Sequence, residues 1–264
     1  MKLLDFLNIL AFLTLFTGVV TFIDILLHWI FKPIKENKKT NVFLEYCRAF
    51  FPVLLLVLCI RSFAIQPYRV PTGSLEPTVK PGDFILVTQY NYGLKIPFWD
   101  HTIIKISHPK MGQIALFQSP VNPTQLTLVK RVIGLPGDRI SYINKVLYIN
   151  GQEEKQSFVK NTKEILDNGN TVPVKEYRED LNGVSHLIII NPKAPTTNFK
   201  NLIVPKDEYF MMGDNRDDSD DSRYWGFVPF QNFIGQARLV FFNMTFLPFH
   251  IDLHRIGKML SPYK

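Results

Sequence analysis

Residues 6–23 form an apolar run of 18 residues without one charged side chain. Wound as a helix rising about 1.5 Å per residue, a run of that length reaches across the hydrocarbon core of a bilayer. It therefore predicts a transmembrane helix. The alternative is a cleavable secretory leader, but the apolar run is long for one and no small-x-small cleavage site follows before His28 and Lys32. A second run, residues 49–65, carries Arg61 as its only charge, near the end where a long side chain snorkels to the headgroups. It predicts a second span. A buried helix of a soluble core is its alternative, because Arg48 and Arg61 shorten the clean stretch and Pro52 interrupts it.

Four lysines fall within residues 32–39, against Lys2 alone ahead of the first span, and this bias places the connecting loop in the cytoplasm. The expected organisation is a first membrane segment at 1–31, a cytoplasmic basic loop at 32–44 and a second membrane segment at 45–66. Everything after it then lies on the extracytoplasmic side. Cys47 and Cys59 both sit in or beside the second span, where a helix separates them by about 18 Å. They cannot pair with each other, so the exported part carries no disulfide. The net charge of +7 is spread along the chain, without a basic stripe interleaved with stacking aromatics. Anionic lipid headgroups explain it better than nucleic acid does.

Beyond residue 66 the texture changes to short apolar or alternating runs, at 84–87, 114–117, 126–129, 140–149, 186–190 and 237–242, separated by Gly, Pro and Asn. These read as strands, with Asn144 and Lys145 marking a turn, so the external part is expected to be mainly β. Residues 151–200 hold more charge, Asn and Pro and fewer apolar runs. They are expected to form a smaller inserted β subdomain, with long surface loops as the alternative. The catalytic β domain then comprises 67–150 and 201–264.

Three segments carry chemistry. Ser74 follows Gly73 and is bracketed by Pro71 and Pro77, so it is held in a bent loop where a hydroxyl can face a substrate. Lys130 stands in an apolar strand beside Val129 and Val132, where desolvation penalises the ammonium form. At the ordinary pKa of ~10.4 only about one lysine in a thousand is neutral near pH 7, and moving it to roughly 8 costs about 3 kcal/mol. By itself such a lysine usually faces water. The third segment, residues 211–229, has five aspartates in eight positions, 214–221. It lacks the central glycine and distal glutamate of the common calcium loop, so a polar scaffold is expected instead of a metal site. In that scaffold Ser219 is placed to hydrogen-bond an amine and Asp221 to lock onto Arg223. The six histidines show no metal-spaced pair and receive no role.

In this order, behind two spans, the three segments closely resemble bacterial type I signal peptidase, the membrane-bound leader peptidase, over about residues 69–229. The serine of that family's Pro-Ser-Gly-Ser-Met box matches Ser74 as nucleophile. The first residue of its Lys-Arg-x-x-Gly-x-Pro-Gly-Asp motif matches Lys130 as general base. Its Gly-Asp-Asn-Arg-x-x-Ser-x-Asp-Ser-Arg box matches residues 213–223, which assigns supporting roles to Gly213, Asn215, Ser219, Asp221 and Arg223. Two positions depart from the pattern. Thr72 replaces the usual serine but keeps the hydroxyl that joins the Ser74 backbone N–H in an oxyanion hole. Leu75 replaces methionine at similar volume.

The resemblance implies a serine endopeptidase acting through a Ser/Lys dyad and an acyl-enzyme, without cofactor or metal. It implies an inner-membrane, multi-pass protein with its site on the periplasmic side. Its partners are membrane lipid and the signal peptides of exported preproteins, cut after small-x-small sequences. Val70, Pro71, Leu75, Ile85 and Val129 flank the matched positions and are the candidate walls of the substrate pocket, with ordinary core packing as their alternative. Phe98, Trp99 and the aromatics of 241–249 are candidates for dipping into the lipid interface. A self-cleaving repressor also combines serine and lysine on a β fold, but it would begin with a soluble DNA-binding domain. A peptidase dedicated to one pilus or conjugation subunit, and a catalytically silent membrane-anchored β module, are the other readings.

Overall fold

The computed structural model describes residues 3–31, 41–63, 65–95, 102–121, 126–165, 169–246 and 249–260. The lysine-rich residues 32–39 lie outside this set, as do Phe98 and Trp99. Two compact units are present, one within Met1–Ile65 and Gly93–Ile104, the other within Gln66–Tyr92 and Lys105–Lys264.

The first unit contains helices α1 (Leu3–Phe31) and α2 (Val42–Phe63), the strand Gly93–Lys95 and all but the last residue of its partner strand Thr102–Lys105. Both helices outrun the apolar runs that predict them. α1 continues past residue 23 because Asp24 is paired with Arg48 of α2, so the one carboxylate that ends the clean run is neutralised by its neighbour. α2 starts seven residues early, where Asn41 Oδ1 accepts from the Phe43 N–H at 3.1 Å and supplies a start cap. The two helices approach closely at Gly18, where an added Cβ would come within 2.7 Å of the Phe51 ring. Candidate spans cover Asn8–Ile30 and Val42–Cys59, with mean hydropathies of 2.3 and 2.0. Only 22% and 6% of these windows is buried, which suits side chains facing lipid and not the core helix of a soluble protein.

The second unit is mainly β. Its large sheet runs in the order Ile65–Arg69, Asp83–Thr88, Phe233–Phe246, Ile114–Gln118, Thr127–Gly134, Glu208–Met212, Val228–Pro229, with Phe249–Ile251 also paired to Phe233–Phe246. Val70, Leu75, Val79, Ile85, Ile114 and Leu116 build one buried cluster of this unit, and Phe117, Val132, Tyr209 and Phe233 belong to a second. A four-stranded sheet joins Phe199–Ile203, Arg139–Ile143, Val146–Ile149 and Gln152–Glu153. Its hairpin turns at Asn144 and Lys145, whose φ values of 50° and 68° are the left-handed pair a two-residue turn requires. Residues 156–190 hold a three-stranded sheet, Gln156–Ile165, Thr171–Leu181 and Val184–Ile190. The last of these strands extends toward the aspartate-rich segment, with Ile189 N donating to Asp214 O at 3.0 Å and Arg216 N to Ile189 O at 3.0 Å. That contact carries the accessory sheet to the candidate site.

Candidate active site

Strand Thr127–Gly134 lies inside the large sheet. Lys130 pairs with Ala115 on one side, and Arg131 pairs with Ile114 and, across the other edge, Met212. Alternation sends these two adjacent cations to opposite faces, and both are buried, each 3% exposed. Arg131 meets a full counter-charge: its Nε and Nη2 donate to the two Asp214 oxygens at 2.7 and 2.6 Å, and Nη1 donates to the Gly112 carbonyl at 2.7 Å. Lys130 meets a hydroxyl instead, with its Nζ donating to Ser219 Oγ at 3.0 Å. Burial lowers its pKa to about 8; Asp221 and Asp220 oppose that shift, and Arg223 offsets part of their effect.

Ser219 donates in turn to Asp221 Oδ2 at 2.8 Å. Asp221 caps the short helix Ser222–Trp225 and gathers donors from every side: the Gly213 N–H at 3.0 Å and Arg223 Nε and Nη2, both at 2.8 Å. Although burial alone would raise it, the Arg223 bonds and charge hold the Asp221 carboxyl below the usual range. Arg223 also lies 5.4 Å from the Tyr142 ring centroid. The lysine therefore leans on a serine whose orientation is fixed by a saturated carboxylate.

Ser74 stands in the loop between Ile65–Arg69 and Asp83–Thr88. The loop is closed by Glu76 N donating to Gly73 O at 2.9 Å and Val79 N to Leu75 O at 3.0 Å, and pinned by the buried Leu75 and Val79. Its carbonyl accepts from the Asn215 N–H at 3.1 Å. Gly213 sits between the two serines: a Cβ there would overlap both the Ser74 carbonyl oxygen and Ser219 Oγ. Only glycine lets the Ser74 loop and the Lys130–Ser219 pair come this close. Ser74 is half-buried and Thr72 and Pro71 are exposed, while Val70, Leu75, Ile85 and Val129 all belong to one buried cluster in which Val129, at 8%, is the most exposed of the four.

Three of the five aspartates of the box are held by protein cations. Asp214 pairs with Arg131, Asp217 accepts from Lys145 Nζ at 2.8 Å and from the Asn191 N–H at 2.7 Å, and Asp221 pairs with Arg223. Among the described residues no group of three or more His, Cys, Asp or Glu could hold a metal ion. Several supports carry no signal in the sequence reading. Thr78 Oγ1 donates to Asp214 Oδ2 at 2.5 Å, tying the serine loop to the box. From the tail, Arg255 pairs with buried Asp83 and donates to the Thr78 carbonyl at 3.2 Å, and Lys258 Nζ reaches the same carbonyl at 2.9 Å. Arg216 forms a fully buried pair with Glu179 of the accessory sheet, and His186 lies 3.4 Å from that same carboxylate. Motif spacing exposes none of these, because each partner comes from a distant stretch of chain.

Residues 43–242 match the family model described as signal peptidase, peptidase S26. A signal peptidase I from Pseudomonas aeruginosa is 37% identical over 228 residues, covering 80% of this chain and 76% of that protein. Signal peptidase I of Buchnera aphidicola from Acyrthosiphon pisum is 36% identical over 86% of this chain and 85% of its own length. That of Rickettsia typhi is 35% identical over 86% and 91%.

Proposed function

The chain belongs to the signal peptidase family, peptidase S26, and we propose that it removes signal peptides from exported preproteins with Ser74 as nucleophile and Lys130 as general base. The observation that carries this reading is the buried Lys130 amine, its pKa lowered to about 8 and its Nζ held by Ser219, with a single glycine separating Ser219 from the Ser74 loop. With that pKa, about one Lys130 in ten is neutral one pH unit lower, a gain of roughly three-hundredfold over an ordinary lysine.

A neutral amine that donates one hydrogen to Ser219 keeps its lone pair for the Ser74 proton. Ser74 Oγ then adds to the scissile carbonyl, and the new oxyanion is met by the Ser74 N–H and the Thr72 hydroxyl, each donor contributing about 3 kcal/mol. The Lys130 ammonium returns its proton to the departing amine, leaving an acyl-enzyme on Ser74. Water enters, gives a proton to Lys130 and releases the signal peptide's new carboxylate. Asp221, Arg223, Ser219, Gly213 and Asn215 hold the parts in place.

The substrate end is an extended segment with small residues at the first and third positions before the cut, read by alternate pockets as a strand is read. Pro71 and Val129 supply pocket wall, backed by Val70, Leu75 and Ile85. With residues 32–44 in the cytoplasm, the site lies on the periplasmic face of the inner membrane, and sharing a bilayer with the substrate raises its effective concentration. Purified protein in detergent is expected to cleave a preprotein after a small-x-small site. Ser74→Ala and Lys130→Ala are each expected to abolish cleavage with an unchanged circular dichroism spectrum. Full activity in either variant removes that residue from the chemistry.

A further inference from the structure

Glu164 lies near the end of strand Gln156–Ile165 in the three-stranded sheet, and it is buried at 4% exposure. The proposed chemistry uses no group from that strand. Yet Glu164 Oε1 accepts from the Asn215 side-chain amide, and Asn215 is the residue whose backbone N–H donates to the Ser74 carbonyl at 3.1 Å. The same Nδ2 lies 3.5 Å from the Gly73 carbonyl. A primary amide has a donor end and an acceptor end, and its terminal torsion is broad. A carboxylate accepts only, so Glu164 fixes which end of Asn215 faces the loop. Reversed, the amide would turn its own oxygen toward the Gly73 carbonyl and push the loop away. The other ionisable groups at this carboxyl are Asp218, which also hydrogen-bonds to it, and Glu76. Burial pushes Glu164 above the ordinary glutamate range, the Asn215 bond opposes that, and the two neighbouring acids add to it.

We propose that Glu164 is a positioning residue for the Gly73–Ser74 loop: by orienting the Asn215 amide it holds the nucleophile in register with Lys130, so the accessory sheet contributes to the catalytic rate. The inference rests on the reading of Ser74 and Lys130 above. Misplacement of a reacting group by about 1 Å can cost on the order of a hundredfold in rate, and partial release of one restraint is expected to cost about tenfold.

The test measures kcat and KM for preprotein cleavage by the full-length protein in detergent. Glu164→Gln keeps the acceptor oxygen without the charge, whereas Glu164→Asp keeps the charge but is one methylene too short to reach Asn215. The expected order is Gln within about threefold of the parent in kcat, with Asp and Ala down about tenfold and KM within about twofold. In an Asn215→Ala background, Glu164→Ala is expected to add less than about threefold, since the route through Asn215 is already cut. Activity that follows charge, with Asp active and Gln impaired, overturns the proposal, as do equal losses in all three variants or losses that multiply with Asn215→Ala. Should Glu164→Ala fail to fold, the Gln and Asp pair decides alone. Active Ser74→Ala or Lys130→Ala protein would sink the underlying mechanism. Inactive forms of both, together with an active Glu164→Asp, would sink this inference only.

Discussion

Replacing Lys130 with Met is expected to destroy activity and to make the protein more stable at neutral pH. The folded protein lowers the Lys130 pKa from 10.5 to about 8, and at ~1.36 kcal/mol per unit the buried ammonium is about 3 kcal/mol less favourable in the fold than in the unfolded chain. At pH 7 both states bind the proton, so the whole penalty is present. As pH rises through 8 the folded protein releases its proton while the unfolded chain keeps one until about 10.5, and stability increases across that interval. Methionine fills similar volume and carries no such penalty. What it loses is the hydrogen bond to Ser219, about 1 kcal/mol, and Ser219 keeps Asp221 as partner. The variant should therefore exceed the parent by about 2 kcal/mol at pH 7, or roughly 4–8 °C in Tm. Near pH 10 the gap should close or reverse. Thermal and denaturant unfolding of the full chain in detergent at both pH values reads this directly. A variant less stable than the parent at pH 7, or a gap of the same size at both pH values, would refute the claim that folding works against the lysine's charge.

The pH dependence of kcat/KM should rise about tenfold per unit up to about pH 8 and then level, because the base must be neutral. Arg223→Gln strips Asp221 of its counter-charge and should move that limb to higher pH, detectable in the same profile. Gly213→Ala places a methyl group into the Ser74 carbonyl and Ser219 Oγ, and should cost more than about a hundredfold in kcat for only about 1–3 kcal/mol of stability, read by paired rate and melting measurements. Arg131→Met leaves the buried Asp214 without its partner and should cost about 3–5 kcal/mol, seen as a lowered denaturation midpoint; an unchanged midpoint would show the pair to be dispensable.

The features legible in the sequence are those whose cause is local. Two helices follow from apolar runs, the strands from alternation, and the Asn144–Lys145 turn from residues that tolerate positive φ. Asp221 and Arg223 meet because they are two positions apart at a helix start. The missed features depend on partners that no period reveals. Asp24 falls inside the expected first segment, and only the fold shows that Arg48 of the second helix is its partner. Asp83 has as its partner Arg255, 172 positions later, which no sequence period points to. Glu164 belongs to a polar stretch that could as well be surface loop, and only the fold brings it to Asn215. Burial of a charge is thus readable as a demand for a counter-charge, but the sequence does not say which residue meets it.

The neutrality of Lys130 depends on how its neighbours' charges are spent. A lysine with carboxylates nearby is ordinarily locked as an ammonium: at an effective dielectric of ~20, a free carboxylate 4 Å away is worth about 4 kcal/mol, enough to erase the roughly 3 kcal/mol that burial removes. In this site the closest such acid, Asp221, reaches Lys130 through Ser219 and is itself paired twice with Arg223. Asp214, the acid in the box that faces the same strand, is taken by Arg131. With Asp221 and Asp214 matched to arginines that never discharge, desolvation outweighs the remaining pull of Asp220 and Asp218 and lowers the Lys130 pKa. Of the aspartates that suggest a cation loop in the sequence, Asp221 therefore orients Ser219 and the helix start while its own charge is paired with Arg223.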